Sequence, residues 1–70
     1  MSNTITVRVN GKTRQVRDRS SLFDLLEHLE LNPGAVVVEL NREVVRQPAL
    51  RDKYLQDGDN VELVHFVGGG

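Results

Sequence analysis

Only one stretch of this chain carries helical periodicity. Leu22, Leu25, Leu26 and Leu29 recur at i, i+3, i+4 and i+7, a stripe down one helix face. Ser21 stands just before the stripe and Asp24 follows three residues on, the spacing of a capping box. Glu27, His28 and Glu30 lie off the stripe. Asn32-Pro33-Gly34 is expected to end the helix, because proline disfavours helical geometry in the residue before it and glycine permits the turn. One helix cannot bury its own leucines, so the remaining residues must build a layer to face it.

Those residues read as strands. Thr4 to Val9 alternates polar and β-branched apolar side chains, the pattern of a half-buried strand. Asn10-Gly11 follows, a strong hairpin signal, since a type I′ turn needs positive φ at both positions. Lys12 to Arg17 then returns antiparallel, setting Val9 opposite Lys12, Val7 opposite Arg14 and Ile5 opposite Val16. That register puts Arg14 on the apolar face. Either its stem covers the core edge with the head in water, or the turn carries a bulge.

Ala35 to Leu40 reads as a well-buried strand, and Asn41-Arg42-Glu43 turns into a brief Val44-Val45 strand. Pro48 opens a short helical turn that carries Leu50, Tyr54 and Leu55 inward. Asp57-Gly58-Asp59 is a turn, and Asn60 to Val67 is the last strand. Val61 and Leu63 share one of its faces; Glu62, Val64 and Phe66 share the other. The expected fold class is α+β, one main helix packed across a small mixed sheet. The long crossover between first and last strands is enough for them to pair in parallel.

Composition removes whole classes of function. Seventy residues make one domain, which buries only about 60% of the surface its unfolded chain exposes. With no cysteine there is no disulfide, thiolate zinc site or cysteine nucleophile. A net charge of −1 argues against a general nucleic-acid binder. The longest apolar run, Ala35 to Val38, is far short of the ~20 residues of a membrane span. Met1-Ser2-Asn3-Thr4 lacks the features of a signal peptide, so a cytoplasmic location is expected. Charge is balanced but segmented: residues 1–20 carry five bases and one acid, while residues 57–70 carry three acids and no base. Complementary surfaces of neighbouring elements explain this; an acidic segment steered to a basic partner surface is the sharper alternative.

Catalytic constellations are missing. His28 and His65 have no second histidine at metal-ligand spacing, Ser21 is accounted for as a cap, and no glycine-rich phosphate loop occurs. An independent enzyme is not expected. The informative feature is instead Gly68-Gly69-Gly70. With glycine at ~7% of average composition, three in a row at a given place arise by chance about 0.03% of the time. A frayed end or an expression scar is the bland reading. Functionally, a tail without Cβ atoms enters a narrow slot and leaves the terminal carboxylate unshielded.

Asn10-Gly11, the leucine helix, Asn41 after the third strand, and Asp57-Gly58-Asp59 through Val64-His65-Phe66-Val67-Gly68-Gly69-Gly70 together resemble the ubiquitin-like β-grasp sulfur carriers, most closely the ThiS family of thiamine biosynthesis. The resemblance covers residues 5–70 and implies a β-grasp domain over 1–67 with a flexible tail over 68–70. It implies that an ATP-dependent, E1-like adenylating enzyme converts the Gly70 carboxylate to an acyl-adenylate. A persulfide donor then displaces AMP to leave a thiocarboxylate, and thiazole synthase takes the sulfur. The carrier itself would bind no cofactor or metal; ATP and magnesium would belong to the partner. Val64 and Phe66, alternating away from Val61 and Leu63, are expected to form an exposed apolar docking patch beside the tail, unless residues 46–56 cover them. Three alternatives stay open: a carrier of the molybdopterin-synthase small-subunit type, a protein modifier conjugated through Gly70, and an interaction module with an inert tail.

Overall fold

The computed structural model describes residues 3–66, and its first two strands meet at Asn10 and Gly11, with φ of 50° and 81°. Positive φ at both positions is the type I′ geometry that matches strand twist. β1 (Thr4–Val9) and β2 (Lys12–Arg17) therefore pair in the expected register, with Ile5, Val7 and Val9 opposite Val16, Arg14 and Lys12. Arg14 is exposed although it stands on the core side of the hairpin, so its head reaches water and the register needs no bulge.

The helix α1 spans Leu22–His28 and begins with the expected capping box. The Asp24 N–H donates to Ser21 Oγ, and the Ser21 N–H donates to Asp24 Oδ2, both at 3.0 Å. Leu22, Leu25 and Leu26 are buried, with Leu29 packed against the same core. Its end differs from expectation. Glu30 adopts φ 60°, the Leu31 N–H donates to Leu26 C=O, and the Glu30 N–H donates to Glu27 C=O. These are the two bonds of a Schellman motif, built here on a glutamate instead of a glycine. Asn32-Pro33-Gly34 lies beyond it: Asn32 caps a separate 3₁₀ turn over Pro33–Ala35, which takes Ala35 out of the following strand.

Val36–Leu40 forms β3, and a second turn with both residues at positive φ, Asn41 and Arg42, leads into β4, Glu43–Val45. After the 3₁₀ turn Gln47–Ala49 the chain runs back along the start of α1. Leu22 N–H donates to Lys53 C=O and Leu55 N–H donates to Ser20 C=O. The short helical turn expected at Pro48 is thus present, but beyond it the chain bridges Ser21 at Tyr54 in strand fashion, so that Tyr54 and Leu55 point opposite ways. Leu55 is buried with Leu50, and Tyr54 faces solvent at 60% exposure, contrary to its expected inward position.

Asn60–His65 forms β5 in the centre of the sheet, whose order is β2-β1-β5-β3-β4. It runs parallel to β1 and antiparallel to β3. The helix covers one face, and Val7, Val38, Val61 and the helix leucines form the core between the layers. This is the expected α+β arrangement of one helix on a mixed sheet, the β-grasp. Among the described residues no helix is long and apolar enough to cross a membrane.

Candidate functional site

The candidate site lies at the end of β5, and the strand is held unusually firmly on the way there. Its two flanking hairpin turns each begin with an asparagine in positive φ, and both asparagines reach sideways to the β5 main chain. Asn41 Oδ1 accepts from the Asn60 N–H at 2.9 Å. Asn10 Oδ1 accepts from the Leu63 N–H at 2.7 Å, while Asn10 Nδ2 donates to Leu63 C=O at 3.2 Å. The Asn10 amide thus stands in for a peptide group and extends the β1–β5 ladder one step past Val9.

The Asp57-Gly58-Asp59 turn anchors the other end. Asp57 Oδ1 accepts from the Thr6 N–H at 2.8 Å, and the Gly58 N–H donates to Thr6 C=O at 2.7 Å. Asp59 accepts from Asn41 Nδ2 and from the Gln56 N–H. Gly58 has φ 89°, where a side chain would be strained. Both aspartates are therefore occupied as local hydrogen-bond acceptors that fix where β5 begins.

Val64 and Phe66 are 56% and 57% exposed on the sheet face away from the helix. Residues 46–56 do not cover them. The Phe66 N–H donates to Ala35 C=O at 2.9 Å, so the pairing with β3 persists beyond the last strand residue and keeps Phe66 on the face of Val64. Val37 stands opposite Val64 and is half-buried; Val44, 57% exposed, stands opposite Glu39. Sequence reasoning missed these two. The run Val36-Val37-Val38 reads as buried on both faces, and only the pairing register places Val37 outward. Glu39 and Glu62 face each other within this patch, a like-charge pair that cross-strand pairing disfavours.

Gly68, Gly69 and Gly70, the expected reactive tail, lie outside the described residues together with Val67. Among the described residues no group of three His, Asp or Glu side chains could hold a metal ion. His28 and His65 are exposed, one at the end of α1 and the other at the end of β5.

This arrangement has known counterparts. The model of the ThiS family matches residues 7–70. Sulfur carrier protein ThiS of Bacillus subtilis is 37% identical over 65 residues, covering 91% of this chain and 98% of that protein. The crystal structure of the thiamine biosynthesis protein ThiS from Geobacter metallireducens superimposes with a TM-score of 0.81 at 36% identity, covering 94% of this chain and all of the other. A thiazole synthase from Magnetococcus marinus is 36% identical over 64 residues, which span 91% of this chain but only 20% of that protein. On the family match and the near-complete coverage of its relatives, the chain belongs to the ThiS family.

Proposed function

We propose that this chain is a sulfur carrier whose Gly70 carboxylate is activated, loaded with sulfur and unloaded by partner enzymes in thiazole formation. The observation that carries the reading is the family match, which extends through Gly70 itself. An adenylating enzyme holding ATP and magnesium joins a carboxylate oxygen of Gly70 to the α-phosphate and releases pyrophosphate. A persulfide sulfur attacks the acyl carbon and displaces AMP. Reduction of the resulting acyl disulfide by a thiol leaves the thiocarboxylate, a soft nucleophile at neutral pH. Thiazole synthase is the acceptor; the similarity between this chain and one fifth of a protein bearing that name supports the pairing.

In this scheme the chain is a co-substrate and not a catalyst. Its own contributions are access and docking. Gly68 and Gly69 carry no Cβ and let the tail pass a narrow entrance. Val64 and Phe66, with Val37 and Val44 beside them, supply the apolar surface that meets the adenylating enzyme. The cytoplasm, where ATP is at hand, is the proposed location.

ATP–pyrophosphate exchange by the adenylating enzyme, with this chain as the only carboxylate substrate, tests the proposal. Exchange that depends on the chain and disappears when Gly70 is deleted supports it. Exchange that persists without Gly70, or no exchange by an enzyme active on another carrier, overturns it.

A further inference from the structure

Arg14 and Lys12 stand on the helix side of the sheet, opposite buried Val7 and Val9, yet both are exposed. The reason is that α1 stops at His28 and the chain turns back through Leu29 to Leu31 without covering the hairpin end. A groove of about 400 Å³ is left open there. Val9, Leu29, Leu31 and Leu63 give it an apolar floor, Lys12, Arg14 and His65 a polar rim, and no carboxylate lines it.

The same place holds an unused strand edge. β1 pairs with β5 only at Arg8 and Val9, and the Asn10 amide adds one step at Leu63. Successive residues of a strand turn their main-chain groups to opposite edges. Phe66 bonds toward β3, so His65 turns its N–H and C=O to the other edge, past the point where β1 has left for the hairpin turn. An extended segment laid along this edge would find main-chain partners at His65 and drop alternate side chains into the groove.

We infer that the groove between the β1–β2 hairpin and the end of α1 seats an extended acidic segment of the adenylating enzyme, with an apolar side chain on Leu29, Leu31 and Leu63 and carboxylates against Lys12 and Arg14. The inference rests on the sulfur-carrier reading and adds a second contact surface, on the opposite sheet face from Val64 and Phe66. Charged side chains on the edge strand β2 also discourage self-association of strands. That role alone predicts a change in oligomeric state and no change toward the enzyme.

The test is steady-state pyrophosphate exchange at varied carrier concentration for wild type, Lys12→Glu/Arg14→Glu and the milder Lys12→Gln/Arg14→Gln. Charge reversal is expected to raise KM for the carrier roughly tenfold or more with kcat unchanged, and neutralisation about threefold. Added salt should raise the wild-type KM, leave that of the neutralised variant nearly flat and lower that of the reversed one. Circular dichroism and sedimentation velocity on the same samples report fold and association state. Folded variants with wild-type KM overturn the groove while leaving the carrier function intact, whether or not they self-associate. A wild-type chain that supports no exchange brings down both.

Discussion

The sheet has two faces, and they treat the same residue type in opposite ways. Beneath α1, Val7, Val38 and Val61 are at most 1% exposed. On the far side, Val44 and Val64 leave more than half of their surface in water, at 57% and 56%. Val61 and Val64 stand on the same strand, as do Val45 and Val44, and within each pair only parity decides which side chain is buried. The described residues supply one α-helix, enough to cover one face. Burying a valine is worth about 1.5–3 kcal/mol, and the outer valines forgo most of it. Under the proposed function, apolar residues left on this uncovered face are accounted for by a partner that covers them.

Substitutions on the two faces, and in the tail they support, should therefore separate stability from function. The largest effect is expected at Gly69. Gly69→Leu should abolish pyrophosphate exchange while leaving the thermal midpoint unchanged; normal exchange would refute the narrow entrance. Next comes the inner face, where Leu25→Ala should cost about 2–5 kcal/mol in urea unfolding. A loss below about 1 kcal/mol would mean that the helix is not the principal cover of the core. On the outer face, Phe66→Ala should weaken binding to the adenylating enzyme about tenfold, or ~1.4 kcal/mol by calorimetric titration, at unchanged stability. Unchanged affinity would remove Phe66 from the docking surface. Ser21→Ala should cost about 1 kcal/mol by removing the cap of α1. Smallest of all, Glu62→Gln should raise stability by a few tenths of a kcal/mol by relieving its repulsion with Glu39. A loss of stability there would show that Glu62 has an attractive partner.

The local signals in the chain were legible because each acts within a few residues. Asn10-Gly11 determined the β1–β2 register, Ser21 and Asp24 the start of the helix, and strand alternation the outward placement of Val64 and Phe66. Features that depend on distant contacts were not. The helix stops at His28 because Glu30 turns at positive φ and Leu31 folds back onto the core, and the more conspicuous Pro33-Gly34 plays no part in that bond pattern. Tyr54 points outward because its segment pairs with Ser20 to Leu22, which no local propensity encodes.

The two hairpin asparagines illustrate the limit best. As turn residues they are obvious; as clamps on β5 they bond across 53 residues for Asn10 and 19 for Asn41. No spacing rule reveals that. The candidate site divides in the same way. Gly68-Gly69-Gly70 stands out in the sequence itself and lies outside the described residues, whereas Val37, Val44 and the groove at Arg14 required the pairing register and the length of α1.

The most direct test of the account is the intact mass of the chain after incubation with ATP, magnesium, the adenylating enzyme, a persulfide donor and a thiol. The account predicts a gain equal to the replacement of one oxygen by sulfur, confined to the C-terminal fragment and absent when Gly70 is deleted. An unchanged mass in the presence of an adenylating enzyme active on another carrier, or sulfur found elsewhere in the chain, would contradict it.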